Sequence, residues 1–162
     1  MRDECNIQVS TKLAAYPLNR AIAWASFLLG VITGMVMGLW SFDGPVPTPA
    51  GLTRYGETSR RLLRLGHIAF FGLGYLNLLL AAELPTMPLD KKQKRRAAHW
   101  MNFGNVVLPI LLIAAAAQPL FKYLLPIPAS AIAIALAIAA WGAVRRVYVD
   151  PPLDQVTHLN VK

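Results

Sequence analysis

The sequence predicts an all-α integral membrane protein of four transmembrane helices, paired as two antiparallel hairpins with both termini in the cytoplasm. Three observations predict it. Only 15% of the 162 residues are charged while 56% are hydrophobic, with a mean hydropathy of +0.45; a soluble domain of this size carries about 25% charged residues to cover its surface. The charges cluster, leaving four long runs free of Lys, Arg, Asp and Glu: 21–40, 65–82, 97–121 and 124–144. The basic residues also fall unequally on the two sides of these runs. Each run reaches or exceeds the roughly 18–20 residues that cross a hydrocarbon core of about 30 Å at 1.5 Å per residue. Such a composition excludes a disordered chain and disfavours an ordinary soluble enzyme.

The expected organisation is a cytoplasmic arm over 1–19, a four-helix membrane domain over 20–146 with spans at about 20–41, 62–84, 97–119 and 124–145, and an extended cytoplasmic tail over 147–162. The first run is too long for a signal-peptide core of about 7–15 residues, and nineteen residues precede it, so it is read as a span that is retained. The fourth contains Ala129-Ser-Ala-Ile-Ala-Ile-Ala-Leu, which alternates as a strand would. Its length and alanine content favour a helix, and a lone strand would leave its backbone unpaired in lipid. Trp40, Trp100, Tyr123 and Trp141 fall near the ends of the runs, where amphipathic rings prefer the interface.

Eleven of the sixteen Lys and Arg residues lie on the side of the arm, the 84–96 connection and the tail; Arg54, Arg60, Arg61, Arg64 and Lys122 lie on the other. The positive-inside rule then places both termini in the cytoplasm, with a bacterial inner membrane as the expected location. The basic run Lys91, Lys92, Lys94, Arg95 and Arg96, read as part of a loop of about 14 residues, is assigned to topology and anionic lipid head groups rather than nucleic acid. Arg60, Arg61 and Arg64 are read likewise as contacts to lipid phosphate or a partner. Cys5 has no second cysteine with which to pair.

Packing signals come from small residues. Ser26, Gly30, Gly34 and Gly38 recur every fourth position in the first run, and Ala131, Ala135 and Ala139 repeat the pattern in the fourth. Such stripes let helix backbones approach closely, within one chain or between chains. The third run is the most polar. His99, Asn102 and Asn105 are spaced by three, and depth counting sets them beside Asn77 and Glu83 of the second, predicting an inner-leaflet cluster of these five residues. Pro109 removes the donor that Asn105 would otherwise receive, so a kink is expected there. Beyond the first run, Ser41–Gly51 reads as a proline-stiffened loop, and Thr58 or Ser59 as the cap of the helix that follows.

No Gly-rich phosphate loop, CxxC pair, HExxH or nucleophile elbow occurs. The first functional expectation is therefore a non-catalytic accessory subunit of a larger membrane complex, with an electron-transfer (respiratory or photosynthetic) assembly as the favoured host and other transmembrane subunits and anionic lipids as partners. The second is a small protein binding haem b or a chlorophyll-type pigment through His67 or His99. His67 sits at the outer end of the second helix and His99 at the inner end of the third, so most of the membrane thickness separates them and they cannot ligate one iron from opposite faces. Met35 and Met37 lie within one to two helical turns of the depth of His67, and a His/Met axial pair is chemically allowed. A transporter or channel component is the third; the two halves, 20–84 and 97–146, show no visible inverted repeat.

Overall fold

The computed structural model describes residues 16–41, 44–49, 52 and 57–149. Among these, four long helices follow one another: α1 (Pro17–Gly38), α2 (Thr58–Glu83), α3 (Lys91–Ala117) and α4 (Pro126–Val149), with a 3-10 helix (Pro119–Leu124) between the last two. There is no strand among the described residues. All four are long and apolar enough to cross a membrane, the fourth candidate span running over Pro119–Tyr148. The expectations placed on Cys5, Arg54 and the tail beyond residue 149 lie outside the described residues.

Helix starts follow local chemistry. Pro17 opens α1, where its missing N–H is one the first turn could not have paired. The helix thus begins ahead of the expected 20, and Asn19, expected in the arm, is a buried helical residue. Tyr16, just before it, takes the left-handed conformation at φ 57°, uncommon for a residue with a side chain. Glu57, rather than Thr58 or Ser59, is the N-cap of α2.

The basic run is helical rather than looped. The Asp90 carboxylate accepts from Gln93 N at 2.6 Å and the Gln93 side chain accepts from Asp90 N at 3.3 Å. This capping box starts α3 at Lys91. The turn linking α2 and α3 shrinks to residues 84–90, and Lys94 Nζ donates to Pro85 O across it at 3.0 Å. A run of cations in a first helical turn opposes the helix dipole, and the Asp90 cap offsets that cost.

Packing contacts show that consecutive helices run antiparallel. Gly34 of α1 meets His67 of α2, and Asn19 meets Asn77; Gly66 of α2 meets Ile113 of α3, and Asn77 meets Asn102. α2 packs against both α1 and α3, α1 touches α3 along a narrower seam, and α4 packs against α3 on the side away from α1. The helices thus form an open row with a three-helix group at one edge. Tyr16, the 84–90 turn and the close of α4 share one end, hereafter the basic end.

The fourth span departs most from expectation. A Cβ on Gly104 would run into the Ile132 side chain and lie 3.1 Å from Pro128 O. The start of α4 is therefore level with the middle of α3, and the last turns of α3, toward Ala117, have no α4 beside them. The 3-10 helix folds back along this stretch of α3. A helix start surrounded by apolar residues carries unpaired N–H groups. Pro126 and Pro128 remove two of them covalently, and Ala129 N donates to Leu125 O at 3.3 Å.

The apolar core lies toward the basic end. Leu73, Leu80 and Leu84 of α2 and the turn after it, Met87 and Leu89, Ala97, Ala98 and Met101 of α3, and Ile132 and Ala135 of α4 form one cluster. Ala131 and Ala135 are buried and Ala139 packs on this core, so the alanine stripe faces inward. Gly142 extends the seam, its Cα close beneath Leu89 and Met87.

Candidate functional site

Two polar features stand out. The first is a closed ring of amides between α1, α2 and α3. Asn19 Nδ2 donates to Asn77 Oδ1 at 2.7 Å, Asn77 Nδ2 to Asn102 Oδ1 at 2.9 Å, and Asn102 Nδ2 to Asn19 Oδ1 at 3.2 Å. Asn19 Nδ2 also reaches Ala98 O at 3.2 Å. All three residues are buried, and every amide oxygen and nitrogen in the ring is engaged. Two turns further along α1, Ser26 Oγ donates to Asn105 Oδ1 at 3.1 Å, while Asn105 Nδ2 is enclosed without a protein partner among the described residues.

The cluster predicted from depth is therefore brought together only in part. Asn77 and Asn102 meet, Asn105 lies beside them on the Ser26 seam, and His99 and Glu83 are elsewhere. Each three-residue step turns a helix by about −60°, so His99 stands about 120° from Asn105 and lies on the exposed face of α3. Glu83 is six residues beyond Asn77 and rotates away by a similar angle. Its Oε2 faces Arg146 Nη1 of α4 at 3.5 Å, both side chains half-exposed. Asn19 is the member that depth counting missed. Its signal was the spacing 19, 23, 26, 30, the buried stripe of α1.

The second feature is a cleft of about 520 Å³ between α1 and α2, away from the basic end. The glycine stripe explains how it is built. Gly30 lies against Phe71 and Gly34 against His67, where a Cβ would stand 2.7 Å from Phe71 Cε2 and from His67 Cε1 respectively. Gly30 and Gly34 thus pack within the chain, against α2. Gly38 has nothing within 4 Å of where its Cβ would be among the described residues, and it lines the cleft.

His67 forms one wall. Phe71 meets its ring edge to face, with centroids 5.3 Å apart, and Thr33 Oγ1 is 3.1 Å from Nδ1. The Thr33 hydroxyl has a single proton, and it lies 2.8 Å from Leu29 O and 3.0 Å from Gly30 O. With the hydroxyl donating to the preceding turn, where its shortest contact lies, it accepts from Nδ1–H in the Nδ1-protonated tautomer. Nε2 is left as the atom with a free lone pair, and it has no hydrogen-bond partner among the described residues. Met37 and Trp40 of the α1 end line the same cleft, as do Arg60 and Arg64 of α2. Arg60 Nη1 also reaches Leu52 O at 3.4 Å. Met35, the other candidate sulfur, is exposed on the outer face of α1. Arg61 is exposed nearby, and Lys91, Lys92, Arg95 and Arg96 are exposed at the basic end.

Comparison with known proteins finds no matching family model, no matching curated protein and no matching solved structure. The functional reading rests on the chain's own residues.

Proposed function

We propose that this protein is a non-catalytic membrane subunit that holds an amphipathic small molecule in the α1–α2 cleft for a larger membrane assembly, with electron-transfer assemblies as the favoured host. The observation that carries this reading is the cleft wall: His67, fixed by Thr33 and Gly34, beside open space at Gly38. Ligand sites are concave, mostly apolar, and carry a few well-placed polar groups; Leu63, Ile68 and Trp40 supply the apolar surface here and His67, Arg60 and Arg64 the polar groups. The two halves of the molecule support different tasks. Toward the basic end, the apolar core and the asparagine ring make a rigid foot, while the opposite end opens into the cleft.

In the proposed orientation the basic end faces the cytoplasm of a bacterial cell. The helical turn Lys91–Arg96 then meets anionic lipid head groups, each cation near such a surface contributing about 1 kcal/mol. The test is native mass spectrometry of the full-length protein extracted in mild detergent. A retained amphiphile is expected in the wild type, lost in Gly38→Leu, which fills the cleft, and kept in Gly72→Leu, whose Cβ position is also open but lies away from the cleft. Wild-type protein without an adduct, or an adduct indifferent to Gly38→Leu, overturns the reading.

A further inference from the structure

The chemistry of the cleft wall narrows the ligand class, and this step rests on the carrier reading above. We propose that the cleft takes an iron tetrapyrrole, with Nε2 of His67 as one axial ligand and the Met37 thioether as the other. Four observations converge on it.

The first is the protonation pattern. A metal-bound imidazole commonly donates its remaining N–H to a fixed acceptor, which sets the tautomer and the ring orientation. Thr33 is placed to be such an acceptor, since its own proton can go to the Leu29 and Gly30 carbonyls while Oγ1 lies 3.1 Å from Nδ1.

The second is the pairing of donor types. Met37 comes from α1 and His67 from α2, so the cleft is bounded by an imidazole and a thioether on different helices. A His/Met pair is an established axial set for haem iron. The third is space. Gly34 lets α1 approach the His67 ring edge at Cε1, and Gly38, one turn on, has nothing within 4 Å of its Cβ position among the described residues. A flat macrocycle bound at Nε2 needs such a bare stretch of helix. The fourth is charge: Arg60 and Arg64 are among the residues that line the cleft, and guanidinium groups suit carboxylates. His99 takes no part. It sits on the exposed face of another helix, near the opposite end.

The test titrates full-length protein in detergent micelles with ferric protoporphyrin IX, reading the Soret band and then the dithionite-reduced spectrum. Saturable one-to-one binding with a six-coordinate, low-spin signature is expected. His67→Ala should abolish it, and His67→Gly should regain it when free imidazole is added, which also shows that the variant is folded. Met37→Leu should keep the haem but convert it to a five-coordinate, high-spin form. Thr33→Val should weaken binding by about tenfold or more and shift the spectrum, whereas Thr33→Ser should not. His99→Ala should change nothing. Binding that survives His67→Ala with an unaltered spectrum overturns the assignment. So does failure of the wild type to bind; if that protein still holds an amphiphile lost in Gly38→Leu, the carrier reading stands and only the tetrapyrrole falls.

Discussion

Gly34 and His67 are in contact across the α1–α2 seam, with the Gly34 Cα so near the imidazole that a methyl group there would stand 2.7 Å from Cε1. The side chain absent at 34 thus sets the position of the one at 67.

Gly34→Leu should therefore destabilise the hairpin, because extra bulk in a packed seam costs about 1–3 kcal/mol. Gly38→Ala should be close to neutral, since nothing stands within 4 Å of its Cβ position. Detergent melting followed by circular dichroism distinguishes them. Equal melting points for both variants would mean that the stripe is not packed as described.

The asparagine ring should behave as a unit. Asn77→Leu leaves Asn19 and Asn102 each short of a partner, and a buried polar group so abandoned costs about 1–3 kcal/mol. Removing all three amides together should cost much less than the sum of the single losses, because no orphan remains. Triple-mutant cycles of unfolding free energy in micelles measure the difference, and strict additivity would count against a closed ring.

Asn77 and Asn105 are equally buried, yet only Asn77 has both amide atoms paired. Asn105→Leu gives up one hydrogen bond from Ser26 together with an amide donor that has no protein partner. It should be tolerated better than Asn77→Leu in the same assay, and the reverse ranking would contradict the pairing.

Asp90→Ala should unravel the first turn of α3, at about 1 kcal/mol for the lost cap. Amide exchange at residues 91–94 should quicken while that at 101–105 stays slow. Glu83→Gln should barely register by comparison, since its link to Arg146 is a half-exposed pair of the kind that contributes about 0–1 kcal/mol.

Orientation is open to chemical labelling. In a Cys5→Ser background, cysteine at Thr48 should react with a membrane-impermeant maleimide from outside intact cells, and cysteine at Lys92 only after permeabilisation. The opposite pattern would invert the proposed topology.

The long spans were legible because hydropathy and the loss of charge report on length, and length is what a bilayer demands. Direction around a helix was less legible. Depth counting set Glu83 and His99 at sensible heights but gave no angle, and both point away from the asparagines. Asn19 was hidden by taking Arg20 as the helix boundary when Pro17 was the true opening. The return of the 3-10 helix along α3 was invisible for another reason: Pro119–Tyr148 is apolar enough on average to qualify as one span, and hydropathy does not mark where a chain changes direction. Thr33 gave no signal as a partner of His67, since the contact joins positions thirty-four residues apart.

The ring of three amides also bears on the order of synthesis. Asn19 and Asn77 reach the bilayer with the first hairpin, but the circuit between them stays open until Asn102 arrives on the third helix. With only the first two segments in place, Asn77 Nδ2 and Asn19 Oδ1 would lack the partners that Asn102 supplies. α4 contributes nothing to that closure, and its share in the fold is the apolar core it forms with α2 and α3.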